Sequence, residues 1–83
     1  MEQNKHLLKH IDKIHTTPMG KSRIRGNLNL DNIDVVAYCK TKISDSRCYI
    51  YKQGKNWYCE IEDMRFTITS SSYTIITAHK IHC

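Results

Sequence analysis

Residues 47–62 read RCYIYKQGKNWYCEIE, two runs rich in aromatic and β-branched residues on either side of Gly54. That pattern is a β-hairpin signature. With a tight two-residue turn, alternation puts Cys48, Ile50, Trp57, Cys59 and Ile61 on one face. Tyr49, Tyr51, Tyr58 and Glu60 then point the other way.

Two further strand patterns follow. MRFTITS, at 64–70, alternates Met64, Phe66 and Ile68 against Arg65, Thr67 and Thr69. SYTIITAHKI, at 72–81, is the fourth run, and its parity is ambiguous because Ile75 and Ile76 are adjacent. If Ile76 and Ala78 turn inward, Tyr73, Thr77 and His79 join the tyrosine face and Lys80 turns to the opposite one. A slip of one residue reverses the assignment. Strands are expected at 47–53, 56–62, 64–70 and 72–81.

The chain before the hairpin reads as helices. Leu7, Leu8, Ile11 and Ile14 recur at three- and four-residue spacing, an apolar stripe over 2–15, with Lys5, Lys9 and Lys13 on other faces. Thr17-Pro18 is a helix-start signal for a second helix over 18–27. Met19, Ile24 and Leu28 are its candidate inward contacts, and Gly26 its stop. A third helix over 32–43 is capped by Asp31, with Asp34 favouring its positive end and Leu30 and Val35 as staple. Val36, Cys39 and Ile43 continue its inward face. The expectation is an α+β fold: three N-terminal helices, then a four-stranded antiparallel meander.

The totals bound the function. Eighty-three residues with 40% hydrophobic and 25% charged content make one small folded domain rather than a disordered chain. A core this thin leaves a homodimer open. The net charge of +5 favours anionic partners: RNA, DNA, a phosphorylated ligand or an acidic protein. Many proteins this basic bind no nucleic acid. No apolar run approaches a membrane span, and the N-terminus lacks a signal peptide's centre, so a cytoplasmic protein is expected. Cys39, Cys48, Cys59 and Cys83 are then thiols; without a C-x-x-C spacing they read as small buried hydrophobes. His6 and His10 share a helix face, but no third ligand is near in sequence. No metal or cofactor is expected.

Helices that cover one sheet face leave the other free. An open face with Tyr49, Tyr51, Tyr58, Arg65 and Tyr73 suits RNA: rings stack on unpaired bases and cations neutralise phosphate. Tyrosine and threonine are equally good strand residues on any wet face. His15, Thr16 and Thr17 stand where the first helix closes and the next opens, beside Lys21, Arg23 and Arg25. Such a loop can bind phosphate. Metal-free RNA cleavage needs a base, an acid and a cation. His79 and His15 are the acid–base candidates, with Glu60 a further titratable group; Arg23, Arg65 and Lys80 are the cationic candidates, with Arg23 and Lys80 the phosphate clamp.

The stretches KIHTTPMGKSRIRGNLNL and GKNWYCEIEDMRFTITSSSYTIITAHKI resemble a small bacterial family catalogued only as a domain of unknown function. Its pattern is K-I-H-T-T, G-x-x-R-I, G-K-N-W-Y and S-Y-T-I-I-T-A-H-K, found here at Lys13 to Thr17, Gly20 with Arg23 and Ile24, Gly54 to Tyr58, and Ser72 to Lys80. The chain departs from it at Pro18-Met19, where the family tends to carry Glu-Leu. This resemblance implies no activity or substrate. At the level of fold alone, helices followed by an antiparallel sheet resemble the RelE, barnase and colicin-nuclease ribonucleases. That analogy implies an RNase of the toxin or phage-conflict kind. A non-catalytic regulator or inhibitor that binds a partner protein through the tyrosine face, such as a phage-encoded anti-defence protein, is the rival reading.

Overall fold

The computed structural model describes the backbone of residues 2–81 and the side chains of residues 6–81. The expectations placed on Cys83 and on the Lys5 side chain lie outside the described residues. Elements run α1 (Glu2–Lys9), a 3₁₀ turn (Ile11–Lys13), α2 (Pro18–Leu28), α3 (Val35–Ser44), β1 (Tyr49–Gln53), β2 (Asn56–Ile61), β3 (Met64–Thr69) and β4 (Ile75–Lys80). The sheet is antiparallel with order β1-β2-β3-β4, and the fold is α+β.

The hairpin forms as its alternation requires. Gln53 pairs with Asn56 across the turn, and Gly54 takes the left-handed φ of 64° that glycine adopts without steric cost. The β2–β3 connection is equally short. Ile61 pairs with Met64, leaving Glu62 and Asp63 at φ 51° and 66°. Two positive φ values are what a type I′ turn demands, here met by residues with side chains.

The helices differ from the expectation in three ways. The first ends at Lys9 rather than near residue 15. His10 N–H donates to the Leu7 carbonyl (3.0 Å), a 3₁₀ turn follows, and Ile14 is extended at φ −66°, ψ 131°. The backbone there has a better partner than a further helical turn: the edge of β4, a tertiary contact that overrides a weak propensity. The second helix runs through Gly26 and closes at Asn29, which takes φ 56°. Its inward set is Gly20, Ile24 and Leu28, at four-residue spacing, so Met19 is 74% exposed. The third helix is capped by Asp34, not Asp31: Asp34 Oδ1 accepts from Ala37 N–H at 3.1 Å. Val35, Cys39 and Ile43 then face inward, and Val36 is only half-buried.

The core joins Leu7, Ile14, Ile24, Leu28, Val35, Cys39 and Ile43 to Ile50, Trp57, Cys59, Phe66, Ile68, Ile75 and Ala78 of the sheet. Each leucine, isoleucine, valine and phenylalanine among them contributes roughly 1.5–3 kcal/mol by leaving water. Cys39, Cys48 and Cys59 are buried free thiols, as the sequence suggests. Burial raises the Cys39 thiol to about 12, and a hydrogen bond donated to Cys48, with burial added, pushes the Cys59 thiol up as well. Among the described residues, no helix is long and apolar enough to cross a membrane.

Candidate functional site

The parity of β4 is settled by a β-bulge. Thr67 pairs with Thr77 but Ile68 pairs with Ile75, so Ile76 is the extra residue. Ile75 and Ala78 enter the core and Ile76 is 43% exposed. Residues opposite one another share a face, so two rows cross the helix-free side of the sheet. One is Tyr49, Glu60, Arg65 and His79; the next is Tyr51, Tyr58, Thr67 and Thr77. His79 thus lies on the open face. Lys80, opposite Met64, turns to the other side at the strand end.

On the β1 side of this face the tyrosines form a continuous series. The rings of Tyr49 and Tyr51 lie 5.2 Å apart, and those of Tyr51 and Tyr58 stack at 5.4 Å. Tyr49 is 63% exposed, while its neighbours are half-buried by one another. Tyr51 Oη donates to Glu60 (2.8 Å), which also accepts from Arg65 Nε (3.1 Å). The carboxylate that accepts the phenol proton holds the Tyr51 pKa above its ordinary value. Glu60 is therefore engaged with its neighbours and orients the ring beside it.

At the other edge, residues 14–16 lie alongside the start of β4. His15 forms a parallel bridge with Thr74: its N–H donates to the Tyr73 carbonyl (3.2 Å), and its carbonyl accepts from Ile75 N–H (2.7 Å). Thr16 Oγ1 donates to the Ile75 carbonyl at 2.9 Å. Thr17 caps α2 by accepting from Gly20 N–H at 3.0 Å. Gly20 allows the approach, because a Cβ there would stand 2.2 Å from Thr16 Oγ1. Further along, Asn27 Nδ2 donates to the Ala78 carbonyl (3.1 Å).

This packing fixes the His15 imidazole. Its Nδ1 lies 2.9 Å from the Lys13 carbonyl, its Nε2 3.1 Å from Thr74 Oγ1, and Thr74 Oγ1 2.7 Å from Ser72 Oγ. A carbonyl only accepts, so Nδ1 carries hydrogen and, in the neutral ring, Nε2 is the acceptor. Thr74 then donates to Nε2 and Ser72 donates to Thr74.

The predicted site residues are thus dispersed. Thr69 N–H donates to the Thr74 carbonyl (2.8 Å), which sets Thr74 with Thr69 on the open face. His15 and His79 mark opposite ends of β4, five residues from Thr74 to His79, or roughly 15 Å at strand rise. They do not meet as an acid–base pair. Lys21, Arg23 and Arg25 stand on α2 in the helix layer. Among the described residues, no hydrogen bond or ion pair joins Arg23 to either histidine. Arg25 Nη2 donates to the Ile33 carbonyl (2.8 Å), a tie between α2 and the next loop. Tyr73, expected on the open face, instead packs against the core beside His10, with ring centres 5.4 Å apart. Its φ of 57° turns it to the helix side. His6 stacks on Trp57 at 5.9 Å, and among the described residues no group of three histidine, cysteine or acidic side chains forms a metal cluster. Ser72 and Thr74 were not singled out from the sequence. They lie 57 and 59 residues from His15, and no local pattern announces the pairing.

Residues 8–79 match the family described as Protein of unknown function (DUF3781). The chain belongs to this family. No curated protein and no solved structure matches it, so the analogy to ribonucleases has no support from relatives. For this DUF3781 member, the structure gives a physical reading of the family-like segments. K-I-H-T-T and S-Y-T-I-I-T are the two sides of one backbone pairing, Gly20 is the space into which it fits, and G-K-N-W-Y is a turn followed by the strand that carries Trp57 inward and Tyr58 outward.

Proposed function

We propose that this protein binds single-stranded nucleic acid, RNA foremost, on the helix-free face of its sheet. The observation that carries the reading is the contiguous ring series Tyr49, Tyr51 and Tyr58, which leads across the face to Arg65 and His79 in a chain of net charge +5. Unpaired bases stack on tyrosine rings, and Arg65 and His79 sit within one strand spacing of one another to meet phosphate oxygens. The Glu60 carboxylate is occupied by Tyr51 and Arg65, which limits its repulsion of an anionic strand. Cleavage of the bound strand is not part of this reading, because His15 and His79 stand at opposite ends of β4.

The test is fluorescence anisotropy with a labelled oligouridine at low and rising KCl. Binding should weaken steeply with salt. Replacing both Tyr51 and Tyr58 by alanine should lower affinity by about tenfold or more, since stacking contributes roughly 1–3 kcal/mol per base. Absence of binding at about 50 mM salt, or affinity unchanged in the double variant, would overturn the reading.

A further inference from the structure

Among the described residues, four other than glycine carry positive φ: Asn29, Glu62, Asp63 and Tyr73. Asn29 closes a helix, and Glu62-Asp63 make a two-residue hairpin turn, both ordinary uses of that conformation. Tyr73, at φ 57°, ends the loop that joins β3 to β4, and a bulky aromatic is an uncommon occupant of that conformation. Strain of this kind persists where the surroundings over-determine it, and it concentrates at functional sites. Tyr73 is held on every side. Its N–H donates to the Thr69 carbonyl (2.8 Å), its carbonyl accepts from His15 (3.2 Å), and its ring lies against His10 with Lys13 Nζ 6.0 Å from the ring centre.

The kink at Tyr73 has a chemical consequence. Ser72 lies in the turn that precedes β4, and Thr74 stands at the entry to the strand. Here the hydroxyls of Ser72 and Thr74 are in contact at 2.7 Å, and the pair ends on His15 Nε2. A nucleophile, a base within hydrogen-bond reach and a third group that orients the base are the parts of an activated hydroxyl. Thr74 serves as the link between Ser72 and His15, and the Lys13 carbonyl orients the ring.

We infer that Ser72 is a nucleophile toward activated acyl esters, with His15 as its base through Thr74. In the step, Ser72 Oγ bonds to the ester carbonyl carbon and the bond from that carbon to the leaving phenolate oxygen breaks. The Ser72 proton passes to Thr74 Oγ1 as the Thr74 proton passes to His15 Nε2. The imidazolium formed keeps its Nδ1–H on the Lys13 carbonyl and afterwards loses the Nε2 proton to water. The phenolate leaves as the anion, and Ser72 carries the acyl group. Ser72 is exposed, so an ester has free access to it. This inference does not rest on nucleic-acid binding.

The experiment uses p-nitrophenyl acetate with the full chain. The expected result is a burst of about one nitrophenolate per chain, as acyl-enzyme formation gives, with the acetyl group on Ser72 by peptide mass spectrometry. Ser72→Ala should abolish the burst, and Thr74→Val should slow it about tenfold or more, the lower range for a positioned proton relay. Thr74→Ser should restore it, which a purely structural role for Thr74 would not predict. His15→Gly should be inactive and regain acetylation with imidazole in the buffer. Thermal melts confirm that each variant is folded. Acetylation elsewhere than Ser72, a burst unchanged in Ser72→Ala or Thr74→Val, or no burst from the wild-type chain would each overturn the inference.

Discussion

The two edges of the sheet are finished by different means. Along β4 the outward backbone is met by neutral hydrogen bonds from the chain itself: His15 on Ile75, Thr16 on Ile75 and Asn27 on Ala78. The lead into β1 is fastened by surface charge instead. Arg47 pairs with Asp45 (2.9 Å) and Glu62 (3.0 Å), and Lys42 also bonds Glu62. A neutral bond at a half-buried site persists across pH and salt, whereas exposed ion pairs are screened and contribute little. The edge with fixed geometry carries the imidazole and hydroxyl chain, for which sub-ångström placement matters. The other carries stacked rings, which tolerate adjustment. An unsealed strand edge also invites pairing with another chain, and the charges flanking β1 oppose it.

The largest effect is expected at Gly20. Gly20→Ala would drive a methyl group into Thr16 Oγ1 and prise the strap from β4. A loss of about 2–3 kcal/mol is expected in urea unfolding, at the upper range for overpacking. Combined with Thr16→Ala, the loss should be less than the sum of the two single effects, because the second change removes the obstructing atom. On the opposite edge, Tyr49→Ala should alter stability by no more than about 0.5 kcal/mol. Equal costs at the two edges would refute the contrast.

A smaller effect of opposite sign is expected where β4 ends. Ile81 N–H donates to the Asp63 carbonyl (2.8 Å), so the far end of β4 hangs on the strained β2–β3 turn. Asp63→Gly keeps that carbonyl and relieves a φ of 66°. Stability should rise by about 0.5–1 kcal/mol in the same unfolding assay, the range for relief of left-handed strain. A loss would show that the Asp63 side chain contributes more than its backbone strain costs.

The smallest effect concerns acid. The Arg47 guanidinium holds the Asp45 carboxyl down to about 2 from its ordinary 3.8, and Lys42, ahead of Arg47, lowers Glu62 too. A carboxylate depressed on folding stabilises the fold above its unfolded value and loses that contribution as pH falls through its folded value. For Asp45 the window is pH 4 to 2. Hydrogen exchange across that window should show β1 amides losing protection before the Ile75 amide, which is bonded to the His15 carbonyl. Asp45→Asn should remove much of the difference. Simultaneous loss at both edges would blur the distinction between ionic and neutral fastening.

The open face was largely legible in the sequence. Strict alternation in residues 47–70 assigns Tyr49, Tyr51, Tyr58 and Arg65 to one side, because side chains on a strand must alternate whatever covers them. The glycine turn, the Thr17 cap and the buried cysteines follow from equally local chemistry. The bounds of the helices did not. The first stops early because β4 offers its backbone a partner some sixty residues away (His15 to Thr74), and Asp34 rather than Asp31 caps the third because packing chose the register. The same holds for β4, where adjacent isoleucines left two parities of equal merit until a bulge placed Ile75 inside and Ile76 outside. Periodicity and turn chemistry are properties of neighbours, so the strands, their order and the tyrosine face follow from local pattern. The closure of β4 by His15 and Thr16, and with it the hydroxyl–imidazole chain, depends on contacts between residues far apart in the chain, which no local pattern encodes.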